Sequence, residues 1–146
     1  MSLHSVQKMR MRAQESVMME LARITQELQH LEQQSDVLES QMKSEATEYQ
    51  TQSERGLTIE AMLGWQSRLD ARRTALRQAQ ETIGRLTTAW STVQAHLIEA
   101  TQDRKVIDRL AERREEACEA ESQRREQCAM DEAASRLWAN AEKGGR

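Results

Sequence analysis

Apolar residues recur along this chain in alternating steps of three and four. One run is Val17, Leu21, Ile24, Leu28, Leu31, Leu38 and Met42; the other is Leu69, Leu76, Ile83, Leu86, Trp90, Val93 and Leu97. That spacing keeps one stripe of an α-helix facing a partner helix. The two runs are mirror images about Gly56. Folding the chain back there pairs Val17 with Leu97, Leu21 with Val93, Ile24 with Trp90, Leu28 with Leu86, Leu31 with Ile83 and Leu38 with Leu76, each pair summing to 114. A single register that satisfies so many layers predicts an all-α fold, a long antiparallel two-helix coiled coil. The expected organisation is one hairpin over 1–146, with helix 2–54, turn 55–58, helix 59–141 and a flexible tail 142–146.

The punctuation agrees with the pattern. No proline interrupts either run. Gly56 supplies the left-handed conformation that ends many helices. Thr58 is placed to cap the second helix, although Ala61 replaces the glutamate of a full capping box. Gly64 and Gly84 fall inside the second helix at ~1 kcal/mol each relative to alanine. Gly64 adjoins Trp65, which should face Tyr49, so room for aromatics is its expected role.

The helices are unequal. In the 114 register Leu3 faces Ala111, and nothing beyond about Arg113 has a partner in helix one. The stripe changes character there, with Arg104, Ala111, Arg114, Cys118, Glu121 and Arg125 in place of aliphatics. Arg10 falls opposite Arg104, a like-charge layer. An unpartnered helix of about thirty residues is marginal in water.

Composition narrows the function. The chain has 146 residues, 31% charged and 3% aromatic, with net charge −3, which is the profile of a coiled coil and not of an aromatic-rich globular core. Both signs of charge are interspersed and no basic block appears, so nucleic acid is not the expected partner. No apolar run approaches the ~18 residues of a membrane span, and no secretory segment is evident. The segment Met9 to Arg12 is amphipathic, but Glu15 and Glu20 interrupt it, so contact with a membrane is peripheral at most. Cys118 and Cys128 lie ten residues apart on one helix, about 15 Å, beyond disulfide reach of one another. His4, His30 and His96 are scattered, and no His-x3-His, CxxC, HExxH or phosphate-binding glycine loop is present. No enzyme activity, metal or cofactor is expected. Trp65 and Trp90 read as core, whereas Trp138, past any partner, is either an intermolecular anchor or a bystander on a frayed helix end.

The most distinctive stretch is the charged run at Leu110 to Arg114, followed by Arg125 to Ala134 with the pattern Arg-Glu-Gln-x3-Asp-Glu-x-Ala. With the short-then-long hairpin, these resemble the FliJ family of flagellar export proteins. The virulence counterpart is the SctO (YscO) stalk of injectisomes. The resemblance implies a fold similar to the γ-subunit stalk of rotary ATPases. It implies a non-enzymatic central-stalk component of the export apparatus, serving motility. The implied partners are a hexameric export ATPase, the membrane export gate protein and export chaperones. The implied place is cytoplasmic, at the inner-membrane face. On the matching positions, Arg109, Glu112, Arg113, Arg125, Glu126, Asp131 and Glu132 would face the ATPase, and Arg68, Arg72 and Leu76 would face the gate. The residues themselves leave other readings open: an injectisome stalk, a structural spacer, or a hairpin chaperone.

Overall fold

A computed structural model describes residues 2–144. Two helices account for nearly all of them: α1, Leu3–Arg55, and α2, Ile59–Gly144. Ser2 stands just before α1, and its Oγ accepts a hydrogen bond from the Ser5 backbone N–H at 3.2 Å, an N-cap. At the other end of α1, Gly56 has φ 98°, and its N–H donates to the Ser53 carbonyl at 3.2 Å. The left-handed backbone costs a Cβ-bearing residue ~1–2 kcal/mol, which is why glycine sits here. Thr58 then caps α2, its Oγ1 accepting from the Ala61 N–H at 3.1 Å.

The helix α2 continues to Gly144, where the sequence was expected to release a tail from residue 142. Alanines 139 and 141, with Glu142 and Lys143, are adequate helix formers, and no proline stops them. Gly145 and Arg146, the rest of that expected tail, lie outside the described residues.

The described residues form two compact units, Ala13–Ala100 and residues 2–12 together with 101–144. In the unit Ala13–Ala100, the two helices pack along the stripe the apolar pattern marks out. Every member of both runs is buried or half-buried. Ile24, Trp65 and Val93 are the most enclosed apolar side chains, at 3%, 6% and 6% exposure. Direct contacts fix the register. The rings of Tyr49 and Trp65 lie 6.1 Å apart. The Trp90 Nε1–H donates to Thr25 Oγ1 at 3.1 Å, beside its layer partner Ile24. Thr25 in turn donates to the Leu21 carbonyl at 2.8 Å, so the indole polar atom is satisfied inside the seam.

The polar members of the stripe are equally informative. Ser35 is buried at 8% exposure, in the layer of the half-buried Ala79. Glu45 and Arg72 meet across the seam at 3.2 Å. One carboxylate oxygen of Glu45, Oε2, is enclosed without a hydrogen-bond partner.

Gly64 does not make room for aromatics, contrary to the expectation. A Cβ added there, or at Gly84, would meet nothing within 4 Å. Both glycines sit on the exposed face of α2, away from the seam.

In the other unit, Leu3 and Ala111 are both half-buried, as layer partners should be. The expected clash of Arg10 with Arg104 is resolved by neighbouring carboxylates. Arg10 Nη1 reaches Asp103 Oδ2 at 3.4 Å, and Arg104 Nε reaches Asp108 Oδ2 at 3.6 Å. Gln7 Nε2 also donates to Asp108 Oδ1, at 3.3 Å. A long guanidinium swings one position along the partner helix at little cost, so a like-charge layer in the register becomes paired charges in space.

Candidate partner-binding surfaces

Two surfaces carry the residues that the sequence puts forward. The first is the early part of α2 in the unit Ala13–Ala100. Arg68 is exposed, and its guanidinium carbon stands 4.1 Å from the centroid of the Trp65 ring. The Trp65 Nε1–H donates to Gln52 Oε1 at 3.2 Å. Tyr49, Gln52, Trp65 and Arg68 thus form one cluster spanning both helices, with the cation over the aromatic face. Arg72 is turned inward to Glu45, with its side chain 41% exposed. Leu76 is half-buried in the seam. Of the three residues expected at a gate, Arg68 alone is fully at the surface, and it is held by the ring beneath it. Leu76 and Arg72 serve the hairpin. The exposed apolar groups nearby are Ile59 and Leu63, at 73% and 56%, next to the turn. They lie off the seam stripe, and only their loss of periodic partners could have signalled them.

The second surface is the C-terminal part of α2. From Glu112 to Gly144 every residue is exposed except Glu121, which is half-buried. Arg109, Glu112, Arg113, Arg125, Glu126, Asp131 and Glu132 all lie open. Ion pairs run along the helix. Glu121 Oε1 receives Arg124 at 2.9 Å and Arg125 at 3.5 Å, and Gln127 donates to Asp131 at 3.3 Å. Pairs of this exposed kind add only a few tenths of a kcal/mol each to the helix. The apolar residues on this segment are equally open: Met130 67%, Leu137 71% and Trp138 68%. With Ala133, Ala134 and Ala141 they fall on one helical stripe, which the charge-led reading of the sequence passed over.

Among the described residues, no group of three or more His, Cys, Asp or Glu is arranged to hold a metal ion, and no helix is long and apolar enough to cross a membrane. Cys118 and Cys128 are both free and exposed.

These features define a class: a two-helix antiparallel coiled-coil protein whose charged groups are displayed on open helix faces. The chain belongs to the flagellar FliJ protein family, whose model matches residues 1–143. It is accordingly a flagellar, export-related stalk protein. Comparison with curated proteins gave no match, and neither did comparison with solved structures.

Proposed function

We propose that this protein is the central-stalk component of a flagellar export apparatus, binding and stimulating the hexameric export ATPase through the C-terminal part of α2. The observation that carries the reading is the segment Glu112–Gly144: continuous helix, almost wholly exposed, rich in both signs of charge and without a partner in α1. A helix of this kind gains little from its own chain and is stabilised when a surrounding collar supplies complementary charge and apolar contacts. Arg109, Glu112, Arg113, Arg125, Glu126, Asp131 and Glu132 are the residues assigned to that contact. The link to the membrane export gate is assigned to the face near the turn. Arg68 is its exposed member, and Arg72 and Leu76 support it from the seam. Export chaperones are further candidate partners. The protein acts at the cytoplasmic face of the inner membrane in this reading.

The test is ATP hydrolysis by the cognate hexamer with the full chain and with a chain ending at Glu112. The full chain raises the rate, and the truncated one loses most of the effect while circular dichroism still reports a folded hairpin. Stimulation should weaken with salt, because surface charges are screened over ~8–10 Å near physiological ionic strength. Undiminished stimulation by the truncated chain would move the contact elsewhere. No stimulation by either would favour a purely structural spacer.

A further inference from the structure

The stripe that pairs α2 with α1 does not stop where α1 begins. Beyond the Leu3–Ala111 layer it continues in the same three–four steps through Arg114, Cys118, Glu121, Arg125, Cys128 and Glu132. All of these are exposed except Glu121, which is half-buried, so the free stripe lies on one open face. Two shallow grooves run along it, one lined by Cys118, Glu121 and Arg125, the next by Arg125, Cys128 and Glu132.

The order of residues on this face is self-complementary. Laid antiparallel against a second copy about a two-fold axis at Gln123, partners sum to 246. Glu121 then meets Arg125 of the other copy, Arg114 meets Glu132, and Cys118 meets Cys128, each contact occurring twice. Ala117 and Ala129 also meet at the flank, leaving the backbones room to approach. The neighbouring registers lack this property. A shift of one heptad one way sets Arg114 against Arg125, and the other way sets Glu121 against Glu132. A parallel pairing in register sets every charge against itself. Like charges across such a seam are unfavourable, and opposite charges fix orientation and partner choice.

We infer that the C-terminal part of α2 is also a self-association surface, pairing antiparallel with a second copy of this chain about Gln123. A C2 contact needs one self-complementary patch, and this face supplies it. The layers are polar and small, so the dimer forms and dissociates with concentration and loosens as salt screens its ion pairs. Pairing covers the face assigned above to the ATPase, so the free dimer and the ATPase-bound monomer would exclude one another. The inference does not rest on that assignment, because it is tested on this protein alone.

The test uses the full chain and a short bismaleimide, which links two thiols across facing helices without any redox step. Helix axes in such pairs lie about 8–10 Å apart. The native protein should give a cross-linked dimer. Cys118→Ser and Cys128→Ser should each abolish it, because each thiol faces the other position. Mixing the two variants should restore it. Cross-linking that survives in either single variant would mean that like positions meet, and would overturn the antiparallel register. Arg125→Glu should abolish the dimer by setting acid against acid, and the swap Glu121→Arg with Arg125→Glu should recover it. These residues lie outside the hairpin layers, so the thermal midpoint of the hairpin should be unchanged throughout. A monomeric mass by sedimentation at every concentration, with no cross-link from native protein, would refute the inference outright.

Discussion

Truncating Ile24 to alanine is the sharpest probe of the hairpin. Ile24 is 3% exposed, the most enclosed apolar side chain, and sits in the layer of Trp90. The change removes three carbons from a buried site, at ~0.8 kcal/mol each, or ~2.4 kcal/mol of transfer free energy. A cavity term normally adds to this. Here the neighbouring seam residues Leu21, Leu28 and Trp90 are only half-buried, so they have room to close over the gap and the added cost is small. The expected loss is therefore ~2–3 kcal/mol, at the lower end of the Ile→Ala range. Leu28→Ala and Ile83→Ala remove side chains already half open to water and should cost less, ~1–2 kcal/mol. Arg113→Ala, at an exposed position with no partner in α1, should fall within ±0.5 kcal/mol. Urea unfolding followed by far-UV circular dichroism measures all four, with the midpoint reporting stability where the slope is unchanged. A loss at Arg113 comparable to that at Ile24 would refute the seam as the source of stability. So would an Ile24 variant that unfolds with the native protein.

Three further outcomes follow from particular contacts. Trp65→Ala removes the indole packed by Tyr49, Gln52 and Arg68 and should lower stability by ~3 kcal/mol; retention of the native thermal midpoint would show the cluster to be ornamental. Arg72→Met leaves the half-buried carboxylate of Glu45 without its partner and should cost ~1–3 kcal/mol, whereas adding Glu45→Met should recover most of it. A double variant as unstable as the single one would sink that explanation. Gly56→Ala should destabilise by ~1–2 kcal/mol because of its left-handed backbone, while Gly84→Ala should stabilise by ~0.5–1 kcal/mol; calorimetry showing the same sign at both positions would contradict the helix-and-turn assignment.

The exposure of the C-terminal part of α2 was legible in the sequence. The exposed run after Arg113 follows from the unequal lengths of the two apolar ladders, since a helix that outlasts its partner has nothing to bury against. The face near the turn was harder to read. Arg68 and Arg72 look alike in sequence, four residues apart on one helix, yet one lies on Trp65 and the other reaches Glu45. Heptad position separates them in principle, because Arg72 falls on the stripe and Arg68 does not. A reading that admits only apolar residues to the seam passes over Arg72, as it passed over Ser35, Glu45 and Gln52.

By itself, then, the sequence determined the two helices, the break at Gly56 and the pairing register. It could do so because a two-helix seam is one-dimensional: periodicity names the stripe, and a single turn fixes which layers meet. Tertiary structure decided how the polar residues settle within that register. The Arg10 and Arg104 guanidinium groups share a layer but turn to Asp103 and Asp108, and the Trp90 indole finds Thr25, one residue from its layer partner. Long polar side chains reach past their own layer, so their partners depend on rotamers and on both helices at once, which no pattern along one strand of sequence contains.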